Sequence, residues 1–433
     1  MQPATSDRRG RATSTWRGLA IALALFAVVA APLWHLHIIN RQMPPSHSDF
    51  VQIWIGTRAM LNGHSPYSDQ TTRDIQTLYY GRPLTSTEIG TAKVNTMHMA
   101  YPAYATLVFA PVAVLSWEHT RMGFLLLVPL LMAISVPLWL RVLRIPISPV
   151  RTAIITVLFF GFWPMMWALR LQQATLLVAF VFVAGCLLLQ RRWDASAGLL
   201  FALTAVKPQL AGPLLLWLLV WAVLQRRWRF VATFVGWMSL LVLTATWMVP
   251  GWVPQWFAVM THYSQVTHPV FSDVFGRWIG STANLAAAVF SAMILWHLRA
   301  CDANSREFGI AVSLALAIPT VLIPTYPPMV YNQVLLLPAF LLLIHTRPAD
   351  YYPALARRIC IAFLVYSFAV TILAVLGESL LHPSNLWDAL PFETALLPAV
   401  CLVALLFLAH LQTKLTVETL IATPTLTATA ALS

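Results

Sequence analysis

Charge is what this 433-residue chain has least of. Asp, Glu, Lys and Arg make up 10% of it, against about 25% in an ordinary soluble domain. That shortage, with 59% hydrophobic residues, excludes a water-soluble globule. The strict apolar/polar alternation of an outer-membrane barrel is also missing, because the apolar segments are long and unbroken. Cysteine is scarce as well. Cys186, Cys360 and Cys401 lie inside apolar stretches and Cys301 in a short polar loop, so no spacing describes a zinc site or a disulfide framework. There is no phosphate-cradling G-x-x-x-x-G-K loop, no G-x-G-x-x-G after a strand and no H-E-x-x-H helix. Nucleotide-driven, dinucleotide-dependent and zinc-hydrolase chemistries therefore lack their residues.

What is present is a series of apolar runs, the mark of a polytopic α-helical membrane protein. The sequence predicts about 12 spans, near residues 18–39, 122–140, 152–168, 174–189, 196–206, 210–224, 230–249, 282–298, 308–323, 333–345, 359–376 and 394–410. The first is longer than the apolar core of a signal peptide, typically about 7–15 residues, with a cleaved signal peptide ending near Val29-Ala30-Ala31 as the alternative. Residues 99–117 are apolar but carry Pro102 and Pro111; they are read as a dipping segment, with a thirteenth span as the alternative. Residues 1–414 form one integral-membrane domain, and the Thr/Ala-rich tail, 415–433, is expected to be disordered.

The net charge of +12 does not collect on one soluble face, which excludes a nucleic-acid partner. It is dealt out between the apolar runs: Arg141, Arg144 and Arg151, then Arg191 and Arg192, then Arg226, Arg227 and Arg229, then Arg299 and Arg306, then Arg347, Arg357 and Arg358. Putting these turns, the N-terminus and Lys414 in the cytoplasm places 18 of the 27 Lys and Arg inside, as the positive-inside rule asks. Two long loops, 40–98 and 250–281, then face outward, the first carrying juxtamembrane helices. The segment between Arg192 and Arg226 must rise and return, with its apex at Lys207-Pro208-Gln209.

Few polar residues remain as candidates for chemistry. Asp49 falls just past the first span, at the outer water–lipid boundary. There a carboxylate can serve as a base on an acceptor arriving from water while a lipid-borne donor waits in the bilayer. Ser48-Asp49 also reads as a helix cap, and the two roles are compatible. Lys207 is a cation between two short apolar arms, costly unless functional or snorkelling. With Arg170 at another outer turn it suits a phosphate. His262 and His268, in the second outer loop, are further donor-phosphate candidates. Tyr331, Asn332 and Gln333 lie at the last outer mouth, where amides can bind sugar hydroxyls. Gln52, Tyr67, Tyr101, Gln173 and Gln209 complete the candidate sugar or acceptor contacts. No metal cluster is indicated.

The order of these residues resembles glycosyltransferase family 87, within the C-type superfamily. The likeness rests on Ser48-Asp49-Phe50, Leu61-Asn62-Gly63-His64-Ser65-Pro66-Tyr67, Tyr101-Pro102 with Pro111, the Gln172-Gln173 turn and Lys207-Pro208. It covers roughly residues 15–410. The resemblance implies an inverting transfer of a sugar, mannose or another hexose, from a polyprenyl-phosphate donor to an outward-facing glycan or glycolipid. It implies no cofactor, a site on the outer face of a bacterial inner membrane, and Asp49 as the base. Departures are a Gln172-Gln173 turn where the family has Gly-Gln, Ala103 where a second Pro is usual, and Asn332-Gln333 where relatives often show His. The competing expectations are a lipid-linked glycan ligase or polymerase, and a transporter or flippase.

Overall fold

The computed structural model describes residues 17–30, 48–90, 95–265, 277–322, 330–345, scattered positions between 355 and 369, and 399–409. Every regular element among them is helical: α1 (Arg17–Ala30), α2 (Phe50–Leu61), α3 (Asp69–Tyr80), α4 (Ser86–Gly90), α5 (Ala103–Ala113), α6 (Trp117–Val142), α7 (Pro149–Phe160), α8 (Trp163–Arg170), α9 (Ala174–Gln190), α10 (Asp194–Thr204), α11 (Pro208–Leu224), α12 (Trp228–Met248), α13 (Trp252–Gln265), α14 (Arg277–His297), α15 (Arg306–Leu322) and α16 (Leu337–Ile344), the last entered through a 3₁₀ turn, Val330–Leu336. A further apolar helix, α17, is Ala399–Ala409. The expected spans 359–376 and 394–410, the second half of the first span, and the tail lie wholly or partly outside the described residues.

Among the described residues three helices are long and apolar enough to cross a bilayer: α6, α12 and the helix running from Trp278 to Ala300. The pair α7–α8 passes the same test as one span bent by 62°. The break falls at Gly161-Phe162, with Pro164 in the first turn of α8, where the missing N–H does no harm. The other apolar helices are shorter. Helix α5, with 11 residues, is about 16 Å long at 1.5 Å per residue. That is about half a hydrocarbon core, so the helix within residues 99–117 is too short to cross one by itself. On α12 only 17% of the apolar window is buried in the protein, and Trp247 is 82% exposed. Such a surface needs lipid around it.

The helix–helix turns share one device. Arg144, Arg192 and Arg226 each adopt a left-handed φ just past a helix end, and so does Gln172. A residue there folds the chain back within two or three positions. Close packing is set by small residues. A Cβ on Gly198 of α10 would lie 2.7 Å from the Phe230 carbonyl and 2.9 Å from the Phe234 nitrogen of α12. Phe201 fills the adjacent layer, edge-on to Phe230 at 5.8 Å.

The basic turns gather at one end of the bundle. Gln190 donates to the carbonyls of Val142 and Ala303, and Trp221 to that of Cys301. Arg227, unlike exposed Arg226 beside it, does not reach solvent. It is buried, donating to Asp194 at 2.9 Å and to the Leu189 carbonyl at 2.7 Å. It ties the α9–α10 turn to the start of α12.

Candidate active site

The other end of the bundle is where the α8–α9 turn, the α10–α11 turn and the 3₁₀ turn before α16 meet the start of α2. Asp49 comes first. It precedes α2, yet its side chain makes no capping bond; Ser48 Oγ accepts from the Phe50 N–H instead. Its own N–H donates to the Leu171 carbonyl at 2.9 Å, which docks it on the α8–α9 turn. The half-buried carboxylate accepts from Gln173 Nε2 through Oδ2. The helix-cap role is thus left to Ser48, and the acid faces into the protein.

Gln173 sits in that turn because Gln172 takes φ 50°. Glycine adopts this conformation without a steric cost, which accounts for a family turn written Gly-Gln. Here the amide of Gln172 donates to the Arg121 carbonyl at 3.3 Å, so the side chain holds down a turn that its backbone disfavours. Gln173 begins α9 and points the other way.

Lys207 enters from the α10–α11 turn, fixed by Pro208 at the first position of α11. It is 5% exposed. Its ammonium donates to Gln173 Oε1 and to Thr175 Oγ1, each at 2.7 Å. The Thr175 hydroxyl in turn donates to Asn332 Oδ1 at 3.1 Å. The rings of Tyr101 and Tyr331 flank the ammonium, with centroids 5.6 and 5.4 Å away, close enough for cation–π attraction. The two arms around Lys207, residues 196–224, contain no Asp or Glu, yet Asp49 is one amide away. Burial lifts the Asp49 carboxyl to about 6, with Lys207 and the Gln173 bond pulling it back down.

Six of the residues singled out in sequence therefore converge: Asp49, Gln173, Lys207, Tyr101, Tyr331 and Asn332. Others support them. Gln52 accepts from the Ala100 N–H at 3.4 Å and reaches Met97. Tyr67 donates to the Tyr101 carbonyl at 2.8 Å, and Trp256 of α13 to that of Ala100 at 3.1 Å. Together they brace the segment that presents Tyr101. Gln209 is exposed and stands apart from the network. Arg170 is buried with its guanidinium 5.0 Å from the centre of the Trp167 ring; Gln333 is buried beside Asn332. The His262 side chain and all of His268 lie outside the described residues. Thr175 was not anticipated. A lone threonine in the first turn of an apolar helix carries no signal, except that it follows a Gln-Gln turn by one residue.

Hydrogen-bonded carboxylate, amide and ammonium, enclosed by apolar helices, define a polar centre built into a membrane protein. A model of glycosyltransferase family 87 matches residues 99–325, which include Gln173 and Lys207. The chain belongs to glycosyltransferase family 87, and is by that membership an enzyme that transfers sugar. No curated protein and no solved structure matches it.

Proposed function

We propose that this protein moves a hexose, mannose or a relative, from a polyprenyl-phosphate donor to an outward-facing glycan or glycolipid, with inversion at the anomeric carbon. The observation that carries the reading is the paired placement of Asp49 and Lys207. A carboxylate whose affinity for protons is raised by burial to about 6 is poised as a base near neutral pH. The acceptor hydroxyl gives its proton to Asp49 while its oxygen bonds to the anomeric carbon. The bond from that carbon to the phosphate oxygen breaks, and the electron pair leaves with polyprenyl phosphate. Lys207 has two N–H groups engaged by Gln173 and Thr175; the third is the donor for the developing phosphate charge. A cation already held in place costs no reorganisation at that moment.

Arg170, His262 and His268 are further candidates for the donor phosphate, and Tyr101, Tyr331, Asn332 and Gln333 for the sugar. Gln52 and Tyr67 act through the segment they brace. The charge partition supports a site at the outer face, since the described basic turns lie at the opposite end of the bundle. Family membership removes the transporter reading. The test is a donor panel in nanodiscs: polyprenyl-phosphate mannose, polyprenyl-phosphate glucose and the matching nucleotide sugars. Release of polyprenyl phosphate, coupled to sugar on an added glycan, is the expected result. Consumption of a nucleotide sugar alone would overturn the proposal.

A further inference from the structure

Gln173 was a candidate acceptor contact. Its surroundings assign it something else. It is 1% exposed, and both ends of its amide are already engaged: Nε2 donates to Asp49 and Oε1 accepts from Lys207. A carboxylate can only accept and an ammonium can only donate, so one amide orientation satisfies both. No direct Asp49–Lys207 ion pair forms among the described residues, although opposite charges in a low-dielectric site attract strongly. The backbone explains why the spacer stays put. The Gln173 N–H donates to the Ala168 carbonyl at 2.9 Å, and its carbonyl accepts from the Leu176 N–H at 3.1 Å. Thr175, two residues on, holds the same ammonium from the side and is itself oriented by Asn332.

We propose that Gln173 is a positioning residue that holds the base and the leaving-group cation one amide apart. This rests on the reading of Asp49 and Lys207 given above. The chemical need is direct. In an inverting displacement the attacking and leaving oxygens lie on opposite sides of the anomeric carbon. A base and a cation in contact with each other could not each reach its own oxygen. A closed ion pair would also stabilise the carboxylate and weaken it as a base. With the amide between them, Asp49 keeps Oδ1 for the acceptor proton and Lys207 keeps one N–H for phosphate.

The groups acting on Asp49 are few. Lys207 faces it from the α10–α11 turn. Tyr80, at the end of α3, feels its charge, and its hydroxyl donates to the Asn95 carbonyl at 2.8 Å. Arg121 of α6 and Arg170 of α8 flank the same turn, the first through the carbonyl that holds Gln172 and the second stacked on Trp167.

Two variants test the spacer by opposite displacements. Gln173→Leu removes both bonds and lets Asp49 and Lys207 close. Gln173→Glu keeps the shape but sets a second carboxyl against Asp49. The first readout needs no substrate: infrared titration of the Asp49 carboxyl in purified protein, identified by its loss in Asp49→Asn. The midpoint is expected to fall in Gln173→Leu and to rise in Gln173→Glu. The second readout is transfer, where kcat should drop about a hundredfold, the usual effect of a small misplacement, with the acceptor KM nearly unchanged. The acid limb of the rate should follow each infrared midpoint. Wild-type midpoints in both variants would overturn the proposal. So would a raised acceptor KM with unchanged kcat, which would make Gln173 a binding contact. Shifted midpoints in a protein that transfers no sugar would uphold the spacing and remove the reaction instead.

Discussion

Asp49→Asn should make this protein more stable while making it inactive. The carboxyl is lifted from 3.8 to about 6 because burial costs the charged form more than Lys207 and Gln173 return to it. Above pH 6 the folded protein therefore carries a charge that the unfolded chain would hold more easily. The sign follows from linkage. A group whose affinity for protons rises on folding adds stability below its unfolded value, and that contribution is lost as pH rises through its folded value. Two units at about 1.4 kcal/mol each give a ceiling of about 3 kcal/mol. Asp49 keeps some contact with solvent, which screens the charge and brings the expected gain to about 1–3 kcal/mol. Asn is neutral at every pH and escapes this cost. Thermal unfolding of both proteins in the same detergent, at pH 8, 6 and 4, reads it directly. The variant should unfold at a higher temperature at pH 8, and the advantage should shrink through pH 6 and be gone near pH 4. An Asn variant less stable than wild type at pH 8, or one whose advantage ignores pH, would refute the reasoning.

Lys207→Ala should weaken donor binding and slow transfer together, whereas Lys207→Arg, which keeps charge but alters shape and reach, should retain part of both; titration with a polyprenyl-phosphate sugar and a single-turnover assay measure the two effects. Gly198→Ala should lower the unfolding temperature and Gly198→Leu should block folding, because a Cβ there meets the α12 backbone at 2.7 Å and backbone cannot rotate aside; normal melting of the Leu variant would contradict the packing described. A cysteine placed at exposed Arg226 should resist a membrane-impermeant maleimide on intact spheroplasts and react after lysis; labelling from outside would invert the topology.

How much of this was legible in the sequence depended on how rare a residue type was in its surroundings. Asp49 and Lys207 stand out because charge is so scarce among apolar runs that each instance demands a reason. Their meeting could not be read, since it depends on two tight turns, and the left-handed Gln172 that makes one of them has no local mark. Gln173 was legible as a polar candidate, but its two charged partners were not. An amide in a sequence looks like a contact for sugar hydroxyls, and only the structure shows its nitrogen bonded to Asp49 and its oxygen to Lys207. Gln209 illustrates the converse error: it adjoins Lys207 in the chain, yet the first turn of α11 rotates it outward. Tyr67 belongs to the motifs that carry the resemblance and Gln52 lies between them, but their bonds reach backbone and a thioether, so they brace the segment that presents Tyr101. Arg227 reads in sequence as one more charge of a basic turn, because burial of an arginine leaves no trace until Asp194 is seen beside it.

Every role proposed for this site depends on Asp49 being the base in a transfer from lipid-linked sugar. The direct measurement is the pH dependence of polyprenyl-phosphate release by wild type and Asp49→Asn in nanodiscs, with donor and acceptor saturating. The wild-type rate should rise with pH through about 6, where the carboxyl loses its proton. The variant should be slower by about 10²–10⁴-fold, the usual contribution of a general base, with no inflection near 6. A variant that turns over at the wild-type rate, with the same inflection, would show that the proton goes elsewhere.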